Sequence, residues 1–313
     1  MVPDTMIDVF LKTLPFFLIL GLGYFAAKRN FFSPEATGNL TKFVFYFALP
    51  AMIFRFAANL SLGEVFHAPT VLAYLLGTMA LYLLATGVAL LRGVGVEEAA
   101  VEAQSAAIGN VGFLGIPLLV LLMGPDSIAP VMVVLTTDLI VFGSLIVIIV
   151  MAKRSGHVSL AVLAPVGIGL LKNPMVMAMV LGLAWAGLAL PVPAPMEDFL
   201  TLLGAAATPG ALFAIGASLA PKTAERISVA LWLATAKLAL HPLFVAVMAL
   251  WVFDVPPLSA AAIIAAAAMP TAGNVYILAQ HYGIAPARVS STILISTIAS
   301  TLTLTAIIAW AMS

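Results

Sequence analysis

Nearly the whole chain divides into apolar windows about 20 residues long, the helix length that crosses roughly 30 Å of hydrocarbon. About ten can be traced, near 6–27, 38–60, 67–91, 98–123, 127–152, 161–190, 198–220, 227–252, 258–281 and 286–312. In lipid every backbone N–H and C=O must be satisfied inside the protein, which restricts such a chain severely. The reading is an all-α membrane protein of about ten transmembrane helices. Composition agrees: 63% of residues are hydrophobic and 8% charged, with a mean hydropathy of +1.18. The sixth window is the least regular, and Lys172-Asn173-Pro174 suggests that its spanning part begins only near Asn173.

Two windows contain the same interruption. The fourth reads Gly109-Asn110-Val111-Gly112 and continues to Gly115-Ile116-Pro117; the ninth reads Met269-Pro270-Thr271-Ala272-Gly273-Asn274-Val275. Proline removes a backbone donor and crowds the preceding turn, and glycine favours departure from helical geometry, so each window is expected to break into two half-helices. Backbone freed at a break needs partners in protein or a wet cavity, and discontinuous helices at mid-membrane are where secondary transporters hold their substrates.

Lys and Arg concentrate on cytoplasmic loops. Odd-numbered loops or their edges hold Lys28, Arg29, Lys42, Arg92, Lys153, Arg154, Lys172, Lys222, Arg226 and Arg288, and even-numbered loops hold at most Arg55. This places both termini on the non-cytoplasmic side of a plasma (inner) membrane. Asp4 and Asp8 precede the first apolar run without a basic cluster, which argues against a cleaved signal peptide.

The halves share landmarks in order. Gly-Asn-Val is followed by Ile128-Ala129-Pro130 and Thr136-Thr137-Asp138 in the first, and by Ile284-Ala285-Pro286 and Ser296-Thr297 in the second. Spans two and seven share Leu49-Pro50 and Thr208-Pro209. A unit of five spans is odd, so its second copy must run in the opposite sense. The division is 1–156 and 157–313, a 5+5 inverted repeat with spans 4 and 9 as the broken helices.

Half-helix N-termini expose N–H groups carrying partial positive charge, so two of them converging at mid-membrane make an anion site without arginine. The amides of Asn110 and Asn274 suit a carboxylate, and suit equally the capping of broken helices. Gly109, Gly112, Gly273, Pro117 and Pro270 complete the candidate substrate site. Ionisable residues far from span ends are functional candidates because a mid-membrane charge is expensive. Asp138, halfway along span five, and Lys237, halfway along span eight, stand out. Asp138 with Thr136 and Thr137 could also offer oxygen to sodium. Glu102 and Gln104 are candidates to line the cytoplasmic approach; His241 shares a helix face with Lys237 four residues earlier, or serves a carbonyl freed by Pro242. His281 and Tyr282 are expected at the outer end of span nine.

These motifs, from Gly21-Leu22-Gly23-Tyr24 through both Gly-Asn-Val breaks, resemble the auxin efflux carrier family, which includes plant auxin exporters and proteins named malonate transporters; the shape is similar to bile-acid sodium symporters and sodium/proton antiporters. The resemblance implies a scaffold of spans 1, 2, 6 and 7 and a transport domain of spans 3–5 and 8–10. Spans 4 and 9 would then cross at the substrate, with Asn110 and Asn274 touching it and Asp138 and Lys237 paired beside the crossover, a pair that either supports the fold or exchanges the coupling proton as the domain moves. It implies no cofactor, a proton or sodium as coupling ion, and dimerisation through the scaffold. The third span departs from the plant exporters: it holds Tyr74, Thr78, Tyr82 and Thr86 but no carboxylate. Small organic anions, mono- or dicarboxylates such as malonate or auxin-like acids, are therefore the expected substrates of an alternating-access carrier, coupled to protons or alternatively to sodium. A channel shares broken helices but not the need for an inverted repeat. Paired mid-span aspartates and zinc motifs are absent, which argues against an enzyme. Zero net charge gives no reason to expect nucleic acid, and zero cysteine excludes disulfides and thiolate metal sites.

Overall fold

The computed structural model describes residues 6–60, 67–155, 163–220 and 227–311; Asp4, Lys222 and Arg226, used in the charge arguments, and the 156/157 division lie outside them. Among the described residues the chain is helical, apart from turns and an isolated two-residue bridge. In chain order the helices are α1 (Met6–Lys28), α2 (Pro34–Ala58), α3 (Ala68–Leu91), α4 (Val96–Ala107), α5 (Val111–Met123), α6 (Pro125–Arg154), α7 (Leu163–Lys172), α8 (Pro174–Gly187), α9 (Ala194–Leu219), α10 (Ile227–Val252), α11 (Pro257–Ala267), α12 (Gly273–Tyr282) and α13 (Pro286–Ala311). The long apolar helices α1, α2, α3, α6, α9, α10 and α13 are each sufficient to cross a membrane, and α7 with α8 forms an eighth candidate bent by 76°. The bend has a local cause. Pro174 opens α8, Asn173 is extended, and the Asn173 Oδ1 accepts the N–H groups of Met175 at 3.0 Å and Val176 at 3.4 Å. Windows four and nine are each filled by two short helices, α4 with α5 and α11 with α12.

Several helices contain a turn of π-helix. Three such turns, Val44–Ala48, Val111–Gly115 and Ala236–Leu240, end two residues before Pro50, Pro117 and Pro242. A proline ring clashes with the carbonyl four residues back and donates no hydrogen bond; a widened turn takes up both defects while the helix continues. A fourth turn, Thr137–Phe142, carries Asp138, as Ala236–Leu240 carries Lys237.

Small residues let helices approach closely. A Cβ on Gly216 would collide with the Leu20 carbonyl oxygen, so α9 and α1 touch backbone to backbone. In the same way α3 meets α10 at Gly77, against Val245. The α2 helix packs on α8 and α9, and α13 on α10 and α11.

Polar side chains gather at two ends. At one, Arg92 and Arg288 pair with Glu102, Arg288 also with Glu98, and Arg154 with Glu97 at 2.8 Å. Arg154 also donates to the Tyr282 carbonyl at 2.6 Å. These contacts join the α3–α4 turn to the end of α6 and both sides of the α12–α13 turn. At the other end Arg55 meets Glu197 at 2.5 Å, in the wall of a pocket of about 470 Å³ that also includes Asn59 and Asp126. That end joins the turns after α2 and α5 to the start of α9.

Candidate functional site

The two breaks lie against each other. After α4, Ile108 is extended and Asn110 has φ −77° and ψ 53°; after α11, the chain leaves helix until Ala272, which is extended. These segments pair antiparallel: Asn110 N–H donates to the Pro270 carbonyl at 2.8 Å, Ala272 N–H donates to the Ile108 carbonyl at 3.0 Å, and Gly109 faces Thr271. Thr271 adds two bonds, its hydroxyl to the Ser105 carbonyl at 2.8 Å and its N–H to Ser296 Oγ at 3.1 Å. Each break thereby satisfies backbone groups that the other leaves open, which the apolar surroundings require.

Because backbone serves backbone, the asparagine side chains are spare. Asn110 makes no side-chain cap to α5, the residue before α12 is Ala272 rather than Asn274, and Asn274 Oδ1 is buried without a partner. Both asparagines line a cavity of about 500 Å³, together with Gln104, Gly109, Gly112, Asp138, Asn173 and Gly273. Its wall continues through Met151, Leu170, His281 and Tyr282, towards the end of the molecule where Arg154 lies. One side of the cavity is Phe45 of α2 with α7 and α8, and the other is α4, α5, α6 and α12. The first turns of α5 and α12 open onto it, so their N–H groups supply partial positive charge there.

Other anticipated residues sit elsewhere. Pro117 and Pro270 are not in the cavity wall; Pro270 acts through its carbonyl. Thr136 donates to the Met132 carbonyl and Thr137 to the Val133 carbonyl, and neither lines the cavity. Glu102 is buried in its pairs with Arg92 and Arg288, whereas Gln104 does line the cavity. His281 and Tyr282 share an end with Arg154 and the α3–α4 turn, not the opposite end where Arg55 lies, because a window entered from one side must finish on the other.

Asp138 and Lys237 are both buried and act on each other electrostatically, but without direct contact between carboxylate and ammonium. Asp138 Oδ1 accepts from the Tyr74 hydroxyl at 2.7 Å. Lys237 Nζ donates to the Ala267 carbonyl at 2.5 Å and to His241 Nδ1 at 2.8 Å, and His241 Nε2 is bonded to Thr78 at 2.9 Å. Lysine therefore neutralises the C-terminal end of half-helix α11, where carbonyls lack partners and carry partial negative charge. His241 serves Lys237 and Thr78 instead of a kink carbonyl, since the π turn removes the need. Tyr74 and Thr78, four residues apart on α3, are the partners that reading the sequence missed; their shared helix face was the available signal.

Long apolar helices around a polar cavity at two interlocked helix breaks define a helical multi-pass membrane protein, and its family makes it a membrane transporter rather than an enzyme. The chain belongs to the family described as Membrane transport protein, the auxin efflux carriers, whose model matches residues 8–308. It is 31% identical over 301 residues, 94% of this chain and 93% of the other, to a Rhizobium meliloti (strain 1021) protein named "Putative malonate transporter".

Proposed function

We propose that this protein is a secondary carrier of small organic anions, with dicarboxylates of malonate size as the leading substrates. The observation that carries the reading is the cavity at the paired breaks, where two helix N-termini and two uncommitted asparagine amides face one space. The name of the Rhizobium relative supports the substrate class.

In this reading α4 with α5, α7 with α8, and α11 with α12 each count as one span, giving ten in a 5+5 inverted repeat, with the crossover at Asn110 and Asn274. The antiparallel pairing of the breaks supports opposite insertion of the halves. The close packing of α1, α2, α8 and α9 supports their role as scaffold, against which α3–α6 and α10–α13 move in alternating access. Basic residues at the end where the cavity opens support a cytoplasmic position for that end and a non-cytoplasmic one for the termini, in a plasma (inner) membrane on this reading. A dimer would form through the scaffold. Coupling is to protons, with sodium the alternative.

Counterflow in proteoliposomes tests this. Labelled malonate outside should be driven in by unlabelled malonate inside, as a carrier requires and a pore does not. Asn110→Ala and Asn274→Ala should fold yet lose thermal stabilisation by malonate. Wild-type stabilisation in both variants would remove the asparagines from the site, and flux without counterflow would make the protein a channel.

A further inference from the structure

Asp138 sits in a π turn, a widened turn that often marks a functional position in a helix. It is 4% exposed and lines the cavity shared by Asn110 and Asn274. Its two oxygens are treated unequally. Oδ1 accepts from Tyr74, whereas Oδ2 is buried with no partner.

No hydrogen-bond donor reaches Oδ2, and the nearby Lys237 charge acts on the carboxylate only across a gap. From α3 face Tyr74, committed to Oδ1, and Thr78, committed to His241. From α10 come Lys237, held by Ala267 and His241, and His241 itself. From α4 and α12 come the neutral side chains of Gln104 and Asn274, whose oxygens are also unpartnered. The remaining acids of α4 are tied to Arg92, Arg154 and Arg288 at its far end. A half-satisfied carboxylate at this depth is costly, and it shares its cavity with the groups that would hold an anion. Two carboxylates in one small space cannot both stay ionised; they share a proton.

Building on the anion-carrier reading, we infer that Asp138 Oδ2 holds the coupling proton and shares it with a carboxylate of the bound substrate, so that one proton is taken up with each anion. The empty site carries the Asp138 carboxylate. Loading adds one anion and one proton from the same solution, forming an O–H···O bond between Oδ2 and the substrate, and release on the other side returns both. Lys237 takes no part in the transfer.

The test is titration calorimetry of the purified protein with malonate at neutral pH, in buffers of different ionisation enthalpy, which counts protons bound per malonate. The wild type should take up about one, equally in sodium and in choline salts. Asp138→Asn should still bind with uptake near zero, and Asp138→Glu should restore uptake. Wild-type binding without proton uptake, or uptake unchanged in Asp138→Asn, overturns the inference while leaving the anion reading in place. Binding that requires sodium assigns the three unpartnered oxygens to a cation instead and also overturns it. If Asp138→Asn does not fold, the wild-type proton count and salt comparison decide alone. Absence of malonate binding in every buffer sinks the inference together with the reading beneath it.

Discussion

A methyl group on Gly109 would lie 3.1 Å from Lys237 Nζ, which is held by the Ala267 carbonyl at the end of α11, and 3.3 Å from the Ala266 carbonyl oxygen. Gly273, its near counterpart in the second break, has nothing within 4 Å of the same point. Two similar glycines therefore predict opposite results. Gly109→Ala should cost about 1–3 kcal/mol, the usual penalty of overpacking, seen as a lowered unfolding temperature. Gly273→Ala should leave that temperature unchanged but reduce malonate uptake, because the methyl enters the cavity. Equal stability of Gly109→Ala and wild type would mean that Lys237 can swing away freely. Lys237→Met should likewise cost about 1–3 kcal/mol by leaving the Ala267 carbonyl without its donor. At this scale the sequence was readable where chemistry is scarce: Asp138 and Lys237 are conspicuous among apolar neighbours. His241, four residues after Lys237 on the same helix face, was legible as its neighbour; Tyr74 and Thr78 were not, because they come from another helix, and the direct pairing of Asp138 with Lys237 rested on the family resemblance.

Among the elements, Asn173 combines two roles that can be separated. Its Oδ1 caps α8, and the residue lines the cavity. Asn173→Ala should lose about 1 kcal/mol through the cap. Asn173→Asp keeps an acceptor for Met175 and Val176 and should keep stability, yet it places an anion in an anion site and should weaken malonate binding severalfold. Parallel thermal unfolding and binding measurements distinguish the two, and equal malonate affinity in Asn173→Asp would remove that residue from the site. The breaks at Asn173, at Gly109-Asn110 and at Met269-Pro270 were all legible from proline and glycine. The π turns were not, since a proline in an apolar helix announces a defect without saying whether the helix will kink, break or widen. Packing of the neighbouring helices makes that choice.

For the molecule as a whole, the ion pairs at its two ends are a topological statement that the sequence lets one test directly, because it contains no cysteine. Asp126→Cys should react with an impermeant maleimide in intact cells, and Arg154→Cys only after permeabilisation; labelling of both from one side would break the proposed ten-span topology. Positive charge bias reads the same arrangement from sequence alone, because loop charges act near the membrane surface without reference to packing. What charge bias could not supply is which helices share a wall of the cavity.

The mutual pairing of the two breaks has a consequence for synthesis. Asn110 N–H and the Ile108 carbonyl take partners made roughly 160 residues later, a delay of about 10–30 s at ordinary elongation rates. Until then the fourth window has main-chain groups in lipid with nothing to bond. It is expected to wait at the insertion machinery or the bilayer surface, so that nascent chains stalled before Pro270 leave it sensitive to protease and longer ones do not. The fourth window of this protein is thus expected to settle in the membrane only when the ninth arrives.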